Sequence, residues 1–294
     1  MPSMRNTLQK ICLLILLAVV VVSCKKNAPA VTEYDTTKQV TVKNVAYGSD
    51  PAQIMDVYLP AGRSTTTTKA IILVHGGSWD SGDKSDFDSA VIYIMPQLAD
   101  YAIFNINYRL ADAGKDTYPT AVEDIGNAIN FINSKTGDYN VSTQKLIMAG
   151  ASAGAHLAML QAYGHDSTGN VKAVVDLFGP TDLYWMYFDH PFPQIAQPIL
   201  INFMGTDAVK DSALYAQASP INYVSASSPP TIIFQGTDDE VVPIEQSTTL
   251  QAKLQSYNVI NSLVVYQGEG HGWDDANLID TYNRIISFLK QNVQ

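Results

Sequence analysis

A serine, a histidine and a group of acids stand in settings that point to one chemistry. Gly150-Ala151-Ser152-Ala153-Gly154 is a G-x-S-x-G pattern. An apolar run, 145–149, leads into it and a helical stretch from Ala153 leads out. A serine on such a strand-to-helix turn is lifted above the sheet, and the helix N-terminus favours negative charge developing beside it. The hydroxyl needs a base to become a nucleophile. Five histidines compete for that role: His75, His156, His165, His190 and His271. His271 is the candidate, because Gly268-Glu269-Gly270-His271-Gly272-Trp273 follows the last strand-like run and can carry an imidazole back over the sheet edge. His156 falls one helical turn beyond Ser152 and reads as packed. His75 reads as the brace of a turn, His165 lies at a helix end, and His190 lies in an irregular stretch. A carboxylate must fix the base's tautomer. Asp238, Asp239 and Glu240 follow the run 231–234, and spacing does not choose between Asp238 and Asp239. His75-Gly76-Gly77-Ser78-Trp79 follows the run 70–74 at once. Glycines there let backbone N–H groups point inward, so Gly77, Ser78 and Ala153 are the candidate oxyanion donors, with Gly76 shaping the turn. Together these are the parts of acyl transfer.

The elements that must position these residues have their own pattern. Strand-like runs at 70–74, 101–108, 145–149, 171–178, 231–234 and 262–266 alternate with helical stretches. That alternation predicts an α/β fold, a mostly parallel central sheet with helices on both faces. Runs 40–45 and 55–59, joined through Gly48-Ser49-Asp50-Pro51, predict an N-terminal antiparallel hairpin. Helices are expected at 121–134, 153–163, 244–256 and 277–291, with Thr120 and Glu123 as a capping box. The stretch 184–224 fits no strand–helix unit and is expected as a cap-like insertion. Tyr184, Trp185, Tyr187, Phe188 and Phe192 crowd into its start. Trp185, with Trp79 and Trp273, is a candidate wall of the substrate pocket, since aromatic faces suit a sugar ring or a phenolic acyl group.

The 294 residues begin with a basic stretch, an apolar run from Ile11 to Val22, then Ser23 and Cys24. Val21-Val22-Ser23-Cys24 resembles the lipobox of bacterial lipoproteins. The resemblance implies a signal peptide at 1–23, a lipid on Cys24, and a membrane anchor, expected in the outer membrane facing the periplasm, with surface display as the alternative. Residues 24–38 read as a polar tether and 39–294 as one domain. The only cysteines are Cys12 and Cys24, so the domain holds neither a disulfide nor a cysteine-based metal site. The formal charge is −10 with no basic cluster, which argues against nucleic-acid binding.

With these pieces placed, the chain resembles the esterase/lipase branch of the α/β-hydrolases that includes hormone-sensitive-lipase-like, feruloyl and acetyl-xylan esterases. The resemblance runs from about Met55 to the C-terminus. It is carried by Met55-Asp56-Val57-Tyr58-Leu59-Pro60, His75-Gly76-Gly77 with Trp79, Gly82-Asp83-Lys84, Asn107-Tyr108-Arg109-Leu110 and Tyr118-Pro119 through Glu123-Asp124. The Ser152 pattern, Gly179-Pro180-Thr181-Asp182-Leu183, Ser219-Pro220, Gly236-Thr237-Asp238-Asp239 with Val242-Pro243, and Gly270-His271-Gly272 complete it. It implies the α/β-hydrolase fold and a Ser, Asp, His chain order. It also puts the acid three residues before the Val of a Val-Pro pair, at Asp239. Two residues depart from the pattern: Ser78 stands where a third glycine is common, and Gln235 where histidine is common. Neither is expected to touch the triad. The resemblance implies a serine esterase for short-chain or aromatic carboxylic esters, acylated glycans among them, with no metal or organic cofactor. The H-G-G-x-W form also resembles arylformamidases, so an arylformamidase or peptidase on the same triad is an alternative, as is a transacylase. A non-catalytic lipoprotein binding a glycan or partner is the rival of another class; a missing triad member would favour it, and none is missing.

Overall fold

The computed structural model describes residues 34–294. The expected signal peptide, Cys24 and the tether as far as residue 33 lie outside the described residues. The strands are β1 (Val40–Ala46), β2 (Ile54–Leu59), β3 (Lys69–Val74), β4 (Tyr101–Ile106), β5 (Leu146–Ala151), β6 (Val171–Leu177), β7 (Thr231–Gly236) and β8 (Asn261–Tyr266). They form one eight-stranded sheet in the order β1-β2-β4-β3-β5-β6-β7-β8. β2 pairs antiparallel with β1 and with β4, and every other pairing is parallel. This is the α/β-hydrolase architecture the sequence predicts, including its N-terminal hairpin.

Runs such as Ala70-Ile71-Ile72-Leu73-Val74 have no polar side, so both faces of the sheet must be covered. The helices are α1 (Asp88–Ile94), α2 (Thr120–Ser134), α3 (Thr136–Tyr139), α4 (Ala153–Leu160), α5 (Leu183–Phe188), α6 (Pro193–Met204), α7 (Ser212–Gln217), α8 (Ile244–Ser256) and α9 (Asp275–Asn292). Side chains alternate along each strand. Ala70, Ile72 and Val74 of β3 join one core with α2, α4 and α8. Ile71 and Leu73 join the other with α1 and α9. The insertion between β6 and β7 is helical, built from α5, α6 and α7.

One local expectation needs correcting, and two further features lie outside the sequence reading. Thr120 and Glu123 form no capping box. Thr120 has already entered α2, and Pro119 holds the cap position with no side-chain acceptor to offer. Helix α1 was not expected; at seven residues between two 3-10 turns, it is too short to show a period. The domain's packing starts before residue 39. Arg63 donates to the carbonyls of Tyr34 (2.7 Å) and Lys38 (2.9 Å), which holds that segment against the fold.

Candidate active site

The turn between β5 and α4 gives Ser152 a φ of +52° and a ψ of −122°. A side-chain-bearing residue holds such a conformation only where its surroundings over-determine it. Here the two glycines do. A Cβ on Gly150 would run into the backbone of Gly154, and one on Gly154 into the carbonyl oxygens of Val74 and His75. The Ser152 N–H donates to Leu177 O at 2.8 Å, pinning the turn to the end of β6.

His271 arrives from the loop after β8. Its Nε2 lies 2.8 Å from Ser152 Oγ and its Nδ1 2.7 Å from Asp239 Oδ2. A carboxylate only accepts, so Nδ1 carries the proton and Nε2 turns its lone pair toward the serine hydroxyl. Asp239 is buried. Its Oδ1 accepts from the N–H groups of Val241 (2.9 Å) and Val242 (2.8 Å). Asp238 and Glu240 are exposed, and Asp238 takes only the Thr237 hydroxyl, at 2.8 Å. Of the three acids, only Asp239 reaches His271. The two loops are stitched to each other: Asp238 N donates to Glu269 O (2.8 Å) and Gly268 N to Thr237 Oγ1 (2.8 Å).

Gln235 is not clear of this line, contrary to expectation. It is fully buried, and its amide donates to Asp239 Oδ2 at 2.9 Å and to Val242 O at 3.0 Å. Its own oxygen accepts from Ser247 Oγ of α8 at 2.8 Å. The signal available in the sequence was a polar residue ending the apolar run of β7, four positions before Asp239. Phe178 is a second residue missed. It has a φ of +46°, and its ring meets the His271 ring edge-on at 4.7 Å.

The loop after β3 carries Gly77, Ser78 and Trp79 at φ of +104°, +53° and +62°. The N–H groups of Gly77, Ser78 and Ala153 donate to no protein acceptor among the described residues. They are therefore free for an oxyanion. Gly76 packs directly under Ala151 and Ser152, so the loop lies against the serine turn. His75 braces this loop: it stacks on Tyr108 at 4.4 Å and its Nδ1 lies 2.7 Å from Gly76 O. Burial lowers its affinity for a proton. His156 is fully buried, and burial pushes it down to about 4. His165 lies in the π turn that ends α4. His190 is buried in the insertion against Val241 O, at 3.2 Å.

The three tryptophans do not form one wall. Trp79 is buried and stacks on Phe203 of α6 at 4.3 Å, so it is core. Trp273 sits one ring behind His271, edge-on to Phe178 at 5.3 Å and tied to Thr281 Oγ1 at 2.8 Å. Trp185 is half-buried and packs against the core that the sheet, α2, α4 and the insertion share. Of the other insertion aromatics, Tyr187 is buried against Tyr215, whereas Tyr184 and Phe188 pair at 4.7 Å and are 43% and 42% exposed. A cavity of about 840 Å³ lies far from this chemistry, at the N-terminal ends of β5, β6 and β7 beside Lys145, Val171 and Pro230.

Residues 55–254 match the family model BD-FAE. Among curated proteins the chain is similar to esterase LipC of Mycobacterium tuberculosis, 28% identical over 85% of this chain and 64% of that protein. Among solved structures it is similar to a truncated form of a carbohydrate esterase from gut microbiota. The TM-score is 0.70 and the identity 25%, over 89% of this chain and 99% of that one. It is also similar to a bifunctional GH43-CE protein of Bacteroides eggerthii, with a TM-score of 0.74 and 22% identity, over 89% of this chain and 39% of that one. The chain spans 45% to 64% of the length of the first curated relatives it matches.

Proposed function

The chain belongs to the BD-FAE family, and we propose that it hydrolyses carboxylic esters through an acyl-enzyme on Ser152. The observation that carries the proposal is the hydrogen-bonded line from Ser152 Oγ through His271 to Asp239. His271 Nε2 takes the hydroxyl proton as Oγ attacks the ester carbonyl. Negative charge then grows on the carbonyl oxygen, and the N–H groups of Gly77, Ser78 and Ala153 receive it. Asp239 stabilises the imidazolium without taking its proton. His271 passes the proton to the departing alkoxide, leaving the acyl group on Oγ. Water then attacks that acyl carbon as His271 takes its proton, and collapse of the intermediate breaks the bond to Oγ while His271 returns that proton to Ser152 Oγ, releasing the acid.

Short-chain or aromatic acyl groups are the proposed substrates, with acylated glycans among them. The name of the gut-microbiota relative supports glycan esters. The exposed Tyr184–Phe188 pair offers a flat apolar face on the insertion. We also place the protein at a membrane through a lipid on Cys24, supported by the apolar run and by Val21 to Cys24. Turnover of p-nitrophenyl esters of rising chain length, acetylated xylan, methyl ferulate and a formyl-anilide tests the reading. Acetyl or feruloyl esters should be turned over fastest. Faster turnover of long-chain esters would overturn the acyl preference, and faster turnover of the formyl-anilide would overturn ester specificity.

A further inference from the structure

We propose that His156 is a positioning residue that holds the oxyanion loop in its active shape by tying Trp79 to the nucleophile helix and to the insertion. The inference rests on the reading of Ser152 as nucleophile. Trp79 ends the left-handed stretch Gly77-Ser78-Trp79, whose shape persists only while neighbours enforce it. Phe203 and His156 hold the Trp79 side chain. The Phe203 ring stacks on it at 4.3 Å. The indole Nε1 donates a hydrogen bond to His156 Nδ1 at 3.2 Å. Indole N–H only donates, so Nδ1 must present its lone pair and the proton must sit on Nε2. That Nε2 then donates to Ala218 O, at the end of α7, at 2.6 Å. The imidazole is also edge-on to both Trp79 and Phe203, at 5.2 Å and 5.7 Å. Its own backbone N–H donates to Ser152 O at 3.0 Å.

One buried ring therefore joins the loop after β3, the first turn of α4 and the exit of the insertion. Both ring nitrogens are used, and only the neutral tautomer can use them this way. Burial keeps the ring neutral, with its proton affinity depressed to about 4. His156 cannot serve as a base in this role, because protonating Nδ1 would set one N–H against another. If the latch opens, the loop relaxes and its N–H groups swing away from where the oxyanion forms. That interaction matters most in the transition state, so kcat should suffer and KM should not.

The test uses the full chain with p-nitrophenyl acetate. Trp79→Phe keeps a ring against Phe203 and removes only the indole donor. His156→Phe keeps a ring and removes both hydrogen bonds. His156→Gln can restore both, accepting through Oε1 and donating through Nε2. Trp79→Phe and His156→Phe should each lower kcat by about 10- to 100-fold, with KM within about threefold. The pair should lose little more than the worse single, and His156→Gln should recover part of the loss. Hydrogen exchange of the Trp79 indole N–H, followed by NMR, should be slow in the wild type and fast in His156→Phe. A kcat within about twofold of wild type in folded Trp79→Phe, or unchanged indole exchange in His156→Phe, would overturn the latch. Should His156→Phe not fold, Trp79→Phe decides alone. If the wild type turns over no ester, the esterase reading fails, and the indole exchange still judges the latch.

Discussion

Four N–H groups converge on Asp239: those of Val241 and Val242 on Oδ1, and those of Gln235 and His271 on Oδ2. With both oxygens engaged the carboxylate has one orientation, and so has His271. Asp239→Asn should lower kcat by about 10³- to 10⁴-fold, because an amide in that place favours the wrong tautomer. Asp238→Asn should stay within about threefold, since its carboxylate faces solvent. The reverse ranking in steady-state assays would move the acid to Asp238. Gln235→Leu should cost about tenfold in kcat. Gln235→Glu should fall behind the wild type increasingly as pH rises, because a second carboxylate would then ionise beside Asp239. A constant ratio to wild type across the pH range would remove Gln235 from the account. Ser152 and His271 were legible because flanking glycines mark turns that chemistry needs. Spacing left Asp238 and Asp239 tied; the tie breaks on which carboxylate the Val241 and Val242 amides face. Gln235 was illegible because its anchor, Ser247, sits on a separate helix. Trp79 misled because a sequence shows that an aromatic is near a site, not that its ring is buried on Phe203 and His156.

At the scale of elements, β6 carries a group the mechanism does not use. Asp176 is fully buried; its Oδ1 accepts from Gly179 N at 2.8 Å, and its Oδ2 has no partner among the described residues. Burial pushes its carboxyl up to about 7 from the ordinary 3.8. The folded state therefore favours the protonated form. The associated stability is fully present below about pH 4 and is lost as pH rises through about 7, on the order of 4 kcal/mol when complete. Asp176→Asn should remove that loss. Thermal unfolding between about pH 5 and about pH 8 should show a downward slope in the wild type that the variant lacks. Equal slopes would mean that Asp176 finds a partner on ionising. The strands and long helices were legible because apolar runs without a polar side demand cover on both faces. Helix α1 was not, because seven residues carry too little period. The capping box was misplaced because helix α2 begins one residue early, at Thr120, and the cap passes to Pro119.

At the scale of the whole molecule, the insertion, helix α4 and the loop after β3 share one interior. Phe203 of the insertion stacks on Trp79, and Ser219 Oγ at its exit accepts from Leu183 N at its entry, at 2.9 Å. The insertion is thus tied at both ends, and on the proposed reading its exposed Tyr184 and Phe188 are the surface on which acyl selectivity should depend. The lipid proposal is tested separately: radiolabelled palmitate should mark the full-length protein in a bacterial host and should not mark Cys24→Ala. Equal labelling of both would remove the anchor. The central claim, that Ser152 carries the acyl group, has a direct test in mass spectrometry of the protein quenched in acid during turnover of p-nitrophenyl acetate. The account predicts one acetyl adduct on the peptide containing Ser152, absent in Ser152→Ala, which should stay folded and lose several orders of magnitude in rate. An adduct on another residue, or near-normal turnover by folded Ser152→Ala, would contradict it.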